Sequence, residues 1–264
     1  MQILEGRTVL VTGSTHGIGR AIAVACARAG AQVVLHGLEP CELADETYEM
    51  CQENGTEPMM IFGDLSGPIE SCVANVFEQA IEASPDIDIL INNAGGYFDV
   101  PFLDLDVATF EKTIRLNVGS YFFLTHSFAK RWVEKGVEGR VLMIGSINGR
   151  LAEPTHACYD TSKGAVEMMV KTLCVELAPH NIRVNGVAPG LFYTPLTAEA
   201  IDQPEFRRWM ELHTPNRTIP GPEVAAEMAT FLVSDSASHI QGQMVLVDGG
   251  MSVWQQPDRP DDFS

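Results

Sequence analysis

Short apolar runs rich in Val, Ile and Leu recur along this chain, and segments with helical spacing separate most of them. The runs are "RTVLVTG" (7–13), "AQVVLHG" (31–37), "PMMIFGD" (58–64), "DIDILINNAGG" (86–96), "GRVLMIGS" (139–146), "IRVNGVAPG" (182–190) and "QMVLVDGG" (243–250). Their cores are continuously apolar rather than alternating, as in strands buried on both faces of a parallel sheet. Helical periodicity fills 20–30, 41–54, 68–83, 104–117, 118–135, a stretch through Tyr159 to Ala178, and 222–234. Strand and helix in alternation predict an α/β fold, a doubly wound parallel sheet of seven strands with helices on both faces. No linker, repeat or low-complexity block divides the chain. One domain is expected over 1–254, with a polar, Pro-rich tail at 255–264 that is frayed or laid on a neighbouring subunit.

Charge narrows the partners. The 264 residues carry 17 Lys+Arg against 35 Asp+Glu, a net charge of −18. Phosphate backbones and anionic membrane surfaces would repel such a chain, which argues against nucleic-acid and membrane partners. The six cysteines are scattered, with no C-x-x-C pair. A chain this long needs no disulfide staples, so reduced thiols in a cytoplasm are the expectation. The N-terminus runs directly into a strand, without the basic and apolar regions of a signal peptide. No apolar run is long enough to span a bilayer. The histidines are dispersed, without metal-ligand spacing, so no metal site is expected.

Two local patterns carry chemistry. "VTGSTHGIG" places Gly13, Gly17 and Gly19 between the first strand and the first helix. A helix N-terminus beyond a strand end offers free N–H groups to a pyrophosphate, and glycine permits close approach. The spacing is G-x3-G-x-G; a plain turn is the ordinary alternative. In "CYDTSKGAV" (158–166), Tyr159 and Lys163 stand at i and i+4, one above the other on a helical face. An ammonium there would lower the phenol pKa and make a proton-transfer pair. A surface helix with a solvated Lys is the bland reading of the same residues.

Taken with "NNAG" (92–95), "GS" (145–146) and "PG" (189–190), these motifs resemble, in order and over about residues 5 to 250, the short-chain dehydrogenase/reductase family. The resemblance implies a Rossmann-type fold and a catalytic set of Asn117, Ser146, Tyr159 and Lys163. Tyr159 would be general base for alcohol oxidation and general acid for ketone reduction. Ser146 would hydrogen-bond the substrate oxygen. Lys163 would depress the Tyr159 pKa and hold the nicotinamide ribose, and Asn117 would support a water leading from Lys163 to solvent. It also implies cofactor contacts at Gly13, Thr15, His16, Gly17, Ile18, Gly19 and Gly37. Asp64 and Leu65 would border adenine, and Asn93, Ala94 and Gly95 the ribose. Tyr159, Lys163, Pro189, Gly190 and Thr194 would flank the nicotinamide. Ser146 and Asn117 read more plainly as a loop cap and an internal hydrogen-bonder, and Asn92 and Asn93 as turn formers.

The chain departs from the family pattern where cofactor choice is made. NAD-preferring members usually carry Asp at the end of the second strand, and NADP-preferring members a cation just after it or before the middle Gly. Here "LHGLEP" places Leu38 and Glu39 there, and His16 precedes Gly17. With no firm cation and Glu39 nearby, NAD is expected and NADP is the alternative. The segment "INGRLAEPTHA" (147–157) forms a polar wall with Asn148, Arg150, Glu153 and His156. Segment 191–215, with Phe192, Tyr193, Phe206 and Trp209, would fold as one or two mobile helices over the site. Substrate contacts are expected at Ser146, Asn148, His156, Tyr159 and Phe192. A polar wall suits a hydroxylated substrate, and the chain is similar to the sugar and polyol dehydrogenases of the family. The alternatives are a 3-oxoacyl or other ketone reductase and a non-catalytic dinucleotide-binding regulator. The family implies a homotetramer, with "YFFL" (121–124) and "MVLVDGG" (244–250) at candidate interfaces.

Overall fold

A computed structural model describes residues 2–254; the tail at 255–264 lies outside the described residues. Seven strands form one parallel sheet in the order β3-β2-β1-β4-β5-β6-β7. They are β1 (Thr8–Val11), β2 (Gln32–Gly37), β3 (Met59–Phe62), β4 (Ile89–Asn92), β5 (Arg140–Ile144), β6 (Arg183–Pro189) and β7 (Met244–Val247). The helices are α1 (Gly17–Arg28), α2 (Glu42–Glu53), α3 (Ile69–Ala83), α4 (Val107–Ile114), α5 (Ser120–Lys135), α6 (Ala157–Leu177), α7 (Ala198–Ile201), α8 (Pro204–His213) and α9 (Glu223–Val233).

Each strand divides its apolar residues between two cores. Val9, Val11, Val33, Leu35, Ile89, Ile91, Leu142 and Ile144 face one layer, which includes α1 and α9. Their neighbours Leu10, Val34, Leu90, Val141 and Met143 face the other, with α3, α5 and α6. Full burial of each such side chain contributes about 1.5–3 kcal/mol. A one-residue slip would exchange the two faces, so packing on both sides fixes the register.

The strand order reverses between β1 and β4, and the chain leaves their carboxyl ends in opposite directions. That geometry opens a crevice above β1 and β4. Asn93 fixes the two loops there. Its Nδ2 donates to the carbonyls of Thr12 and Gly13 at 2.9 Å each, while the Thr12 hydroxyl accepts from the Asn93 and Ala94 N–H groups at 2.9 and 3.0 Å. Asn92 points elsewhere: it is fully buried and donates to the Thr125 hydroxyl at 3.1 Å.

The sequence reading of two helices meeting at 117/118 needs one refinement. A π-helical turn at Arg115–Gly119 joins α4 to α5 in a nearly continuous run, and Asn117 sits inside it. Such turns occur often at functional sites, because they shift the side-chain face by one position.

Candidate active site

The crevice is a cavity of about 480 Å³ lined from the ends of β1, β2, β4, β5 and β6. All the residues assigned to the cofactor line it: Gly13, Thr15, His16, Gly17, Ile18, Gly19, Gly37, Asp64, Leu65, Asn93, Ala94, Gly95, Tyr159, Lys163, Pro189, Gly190 and Thr194. Ser146 and Phe192 line it too.

One end of the cavity has the form of a pyrophosphate cradle. Helix α1 starts at Gly17 without a side-chain cap, so its first-turn N–H groups face the cavity unclaimed by a capping side chain. Gly17 has φ +57°, and the nearest atom to an added Cβ would be Thr194 Cβ at 3.9 Å, so the space over the loop is open. Gly19 is constrained from the other side: a Cβ there would lie 2.1 Å from the Gly13 carbonyl oxygen. An uncapped helix N-terminus, a bare glycine above it and an elongated cleft at the strand switch point fit a dinucleotide.

At the other end, the loop after β5 and the first two turns of α6 bring Ser146, Tyr159 and Lys163 together. Ser146 caps the short turn Ile147–Gly149: its Oγ accepts from the Asn148 N–H at 3.1 Å and donates to Asn148 Oδ1 at 3.4 Å. Lys163 is buried and donates to the Ile144 carbonyl at 2.9 Å. Its Nζ lies 5.6 Å from the ring centroids of both Tyr121 and Tyr159. Burial pulls the Lys163 pKa down to about 8. Tyr159 keeps a face on the cavity, yet desolvation of its phenol pushes the pKa up to about 12, against a downward pull from the Ser146 hydroxyl. The negative charges of Asp160 and Glu153 push the same way as burial. Loss of hydration and the two nearby carboxylates set the net direction for the phenol, and the lowering expected from Lys163 is not among the influences that set it.

Asn117 is fully buried between this pair and the β4 loop. Its Oδ1 accepts from the Gly96 N–H at 3.0 Å, and its Nδ2 donates to the Gly96 carbonyl at 2.9 Å and the Ser162 hydroxyl at 3.0 Å. Asn148 and His156 do not line the cavity, contrary to their expected contact with substrate. Asn148 Nδ2 is held by Glu153 at 3.0 Å and Asp160 at 2.9 Å, and His156 Nδ1 lies 2.9 Å from Glu153. The carboxylates that make this wall polar also consume its amide. His156 instead makes edge contact with the Tyr97 ring, 5.3 Å between centroids, and Tyr97 stands 6.0 Å from Tyr159.

Sequence reasoning missed His36, Phe98, Lys112, Leu116, Leu196 and Thr197 as cavity residues, while Leu38 lines the cavity at the position considered for cofactor choice. Lys112 and Leu116 stand four positions apart and share a helical face, but neither spacing ties them to Asn117. Phe98 carried no signal of its own; Lys112 Nζ lies over its ring at 5.1 Å.

Comparison with known proteins agrees with this geometry. A family model described as enoyl-(acyl carrier protein) reductase, of the adh_short_C2 type, matches residues 13–252. A glucose 1-dehydrogenase of Gluconobacter oxydans is 33% identical over 94% of this chain and 93% of its own. An L-rhamnose 1-dehydrogenase (NAD(P)(+)) of a Sphingomonas species is 31% identical over 96% of this chain and 99% of its own. The crystal structure of a gluconate 5-dehydrogenase from Burkholderia cenocepacia, in complex with NADP and tartrate, superposes with a TM-score of 0.88 at 30% identity, covering 96% of this chain and 97% of that one. The chain belongs to the short-chain dehydrogenase/reductase family and is an NAD(P)-dependent oxidoreductase of CH–OH groups.

Proposed function

We propose that this enzyme is a sugar or polyol dehydrogenase that prefers NAD, with Ser146, Tyr159 and Lys163 as its catalytic residues and Asn117 as their support. The observation that carries the reading is the convergence of Ser146, Tyr159 and Lys163 on one end of a dinucleotide-shaped cavity. The relatives named for glucose, rhamnose and gluconate support the substrate class.

The bound dinucleotide supplies the hydride acceptor in oxidation and the donor in reduction. Tyr159 takes the substrate hydroxyl proton in oxidation and returns it in reduction. Ser146 donates to the substrate oxygen, with its own oxygen held by the Asn148 N–H. Lys163 stands below the phenol as a buried cation; with a pKa of about 8 it is charged at neutral pH and loses its proton in mild alkali. The Asn117 amide nitrogen is committed to Gly96 and Ser162, so a water at this side chain would donate to its Oδ1. Because burial keeps the phenol protonated, oxidation gains with rising pH and reduction does not.

Preference for NAD follows from the adenosine end. Leu38, 63% exposed, stands at the cavity edge where a 2′-phosphate would need a cation. Burial and the charge of Arg20 lower the His16 pKa, which keeps it neutral. Arg20 itself is committed to the Thr15 and Leu43 carbonyls and to Glu46. A homotetramer is in keeping with the exposed rings of Phe122 and Phe123 on α5, and a cytoplasmic location with six free thiols.

The test follows absorbance at 340 nm with NAD⁺ or NADP⁺ and a panel of aldoses, aldonates, polyols and secondary alcohols, for wild type and Tyr159→Phe. Turnover of a sugar or polyol by wild type only, faster with NAD⁺, is the expected result. The second reading, an acyl or ketone reductase, draws on the description of the matching family model. Activity confined to 3-oxoacyl or enoyl substrates with a reduced cofactor would establish it instead.

A further inference from the structure

His36 lies one residue before the end of β2, close to the Leu38 and Glu39 positions that bear on cofactor choice, yet its side chain is turned into the protein. It is 3% exposed and touches the loops after β1 and β3 together. Its Nδ1 accepts from the Gly13 N–H at 3.1 Å, and its Nε2 lies 3.1 Å from the Gly63 carbonyl. A backbone N–H can only donate and a carbonyl can only accept, so these partners fix one neutral tautomer, with the proton on Nε2. The main chain of the same residue adds to the hold: Ser14 N–H donates to the His36 carbonyl and His36 N–H to the Ser14 hydroxyl, each at 2.9 Å.

Gly13 is the residue this ring restrains. It has φ +62°, and a Cβ there would lie 2.8 Å from Ala94 Cα, so the loop already passes as close to the β4 strand end as backbone allows. Its carbonyl is claimed by Asn93 at 2.9 Å. With its N–H bound to His36 and its carbonyl to Asn93, Gly13 is pinned through the peptide on each side of it, and Thr15 to Gly19 follow from it toward the cavity.

We propose that His36 is a positioning residue for cofactor binding: through Nδ1 it anchors the Gly13 N–H and holds the loop in the conformation that receives the pyrophosphate. This inference rests on the reading of the cavity as a dinucleotide site. A loop held in its bound shape before the ligand arrives loses less freedom on binding, which raises affinity without a new ligand contact. Burial agrees with the tautomer, since it pulls the His36 pKa down to about 4 and keeps the ring neutral.

Two conservative variants separate the two nitrogens. The carbonyl oxygen of Asn in His36→Asn stands near the position of Nδ1 and retains an acceptor for Gly13, while losing Gly63. The amide nitrogen of Gln in His36→Gln stands near Nε2 and retains a donor for Gly63, while losing Gly13. The probe is NADH, followed by fluorescence titration, with KM for NAD⁺ and kcat at saturating NAD⁺ measured alongside. His36→Asn is expected to bind NADH within about twofold of wild type and His36→Gln about five- to tenfold more weakly, both with kcat nearly unchanged. If the ring merely fills space, the larger Gln binds as well as or better than Asn, and that order overturns the proposal, as does equal affinity of the two variants. If wild type itself fails to bind NADH, the dinucleotide reading falls, and the inference with it.

Discussion

The two ends of the sheet each bury cations and make opposite use of them. At the amino end, Arg140 and Arg183 enter from the first residues of β5 and β6 and bond the carbonyls that close α9. Arg140 reaches Val233 O at 2.7 Å and Asp235 at 2.5 Å. Arg183 reaches Leu232, Ala237 and Ser234 at 2.9–3.0 Å. Arg7 adds bonds to Asp88 and Asp235 at 2.9 and 3.1 Å. At the carboxyl end, Lys163 is more deeply buried than Arg7 and has one carbonyl. Burial depresses both kinds of group, but Arg183 falls only to about 10 and stays charged at neutral pH, whereas Lys163 falls to about 8. A guanidinium has the donors to satisfy a helix terminus and keeps its proton; an ammonium with few partners becomes a titrating group near working pH. One end is built for stability, the other keeps an unfavourable charge for chemistry.

Removing Lys163 should give the largest effect and show both sides of the contrast. Lys163→Met is expected to lower kcat by about 10²–10⁴-fold while raising the melting temperature at neutral pH. The sign follows from linkage. With a folded pKa near 8 against an ordinary 10.5, the folded chain binds fewer protons than the unfolded one between those values. Stability therefore rises with pH across that window, and below pH 8 the whole penalty is present. The difference in melting temperature between Lys163→Met and wild type should shrink as pH rises from about 8 toward 10. A constant difference, or a variant less stable at pH 7, would contradict the contrast.

Arg140→Ala probes the other end and reverses the pattern. It leaves the buried Val233 carbonyl without its donor, a loss of about 1–3 kcal/mol. Asp235, at 75% side-chain exposure, recovers water and adds little. Denaturant unfolding should report that loss, with kcat and KM of the folded enzyme unchanged. A fall in kcat at full folding would show that the two ends are coupled through β5.

How much of this was legible in the sequence follows the same division. Strands covered on both faces leave unbroken apolar runs, so β1 to β7 and the sheet's two-layered cover could be read directly. Glycines, Tyr159 and Lys163 sit at spacings that elements impose locally, so their gathering on one crevice could be anticipated. The π-turn at Arg115–Gly119 could not, because no residue type marks the place where the helical phase shifts by one position. His36 gave no signal of its role, since its partners Gly13 and Gly63 are distant in sequence. Asn148 and His156 had the right polarity and neighbours for substrate. Their direction is set by Glu153 and Asp160, and composition does not encode which of two polar residues is consumed by a third.

That wall carries the smallest effect to be expected. Thr155 has φ +67°, a conformation a β-branched residue adopts at a cost of about 1–2 kcal/mol. The surrounding bonds hold it there: the Thr155 carbonyl accepts from Val100 at 3.1 Å, and the Glu153 N–H donates to Asp160 at 3.0 Å. Thr155→Gly removes the strain but loosens the unfolded chain by about 0.5–1 kcal/mol in entropy. Stability should therefore change by under about 1 kcal/mol, toward greater stability. If the strained turn also sets where the wall stands over Tyr159, KM for the sugar should rise about two- to fivefold with cofactor affinity unchanged. A change in cofactor affinity instead would mean that the wall beside Tyr159 and the glycine cradle do not act independently.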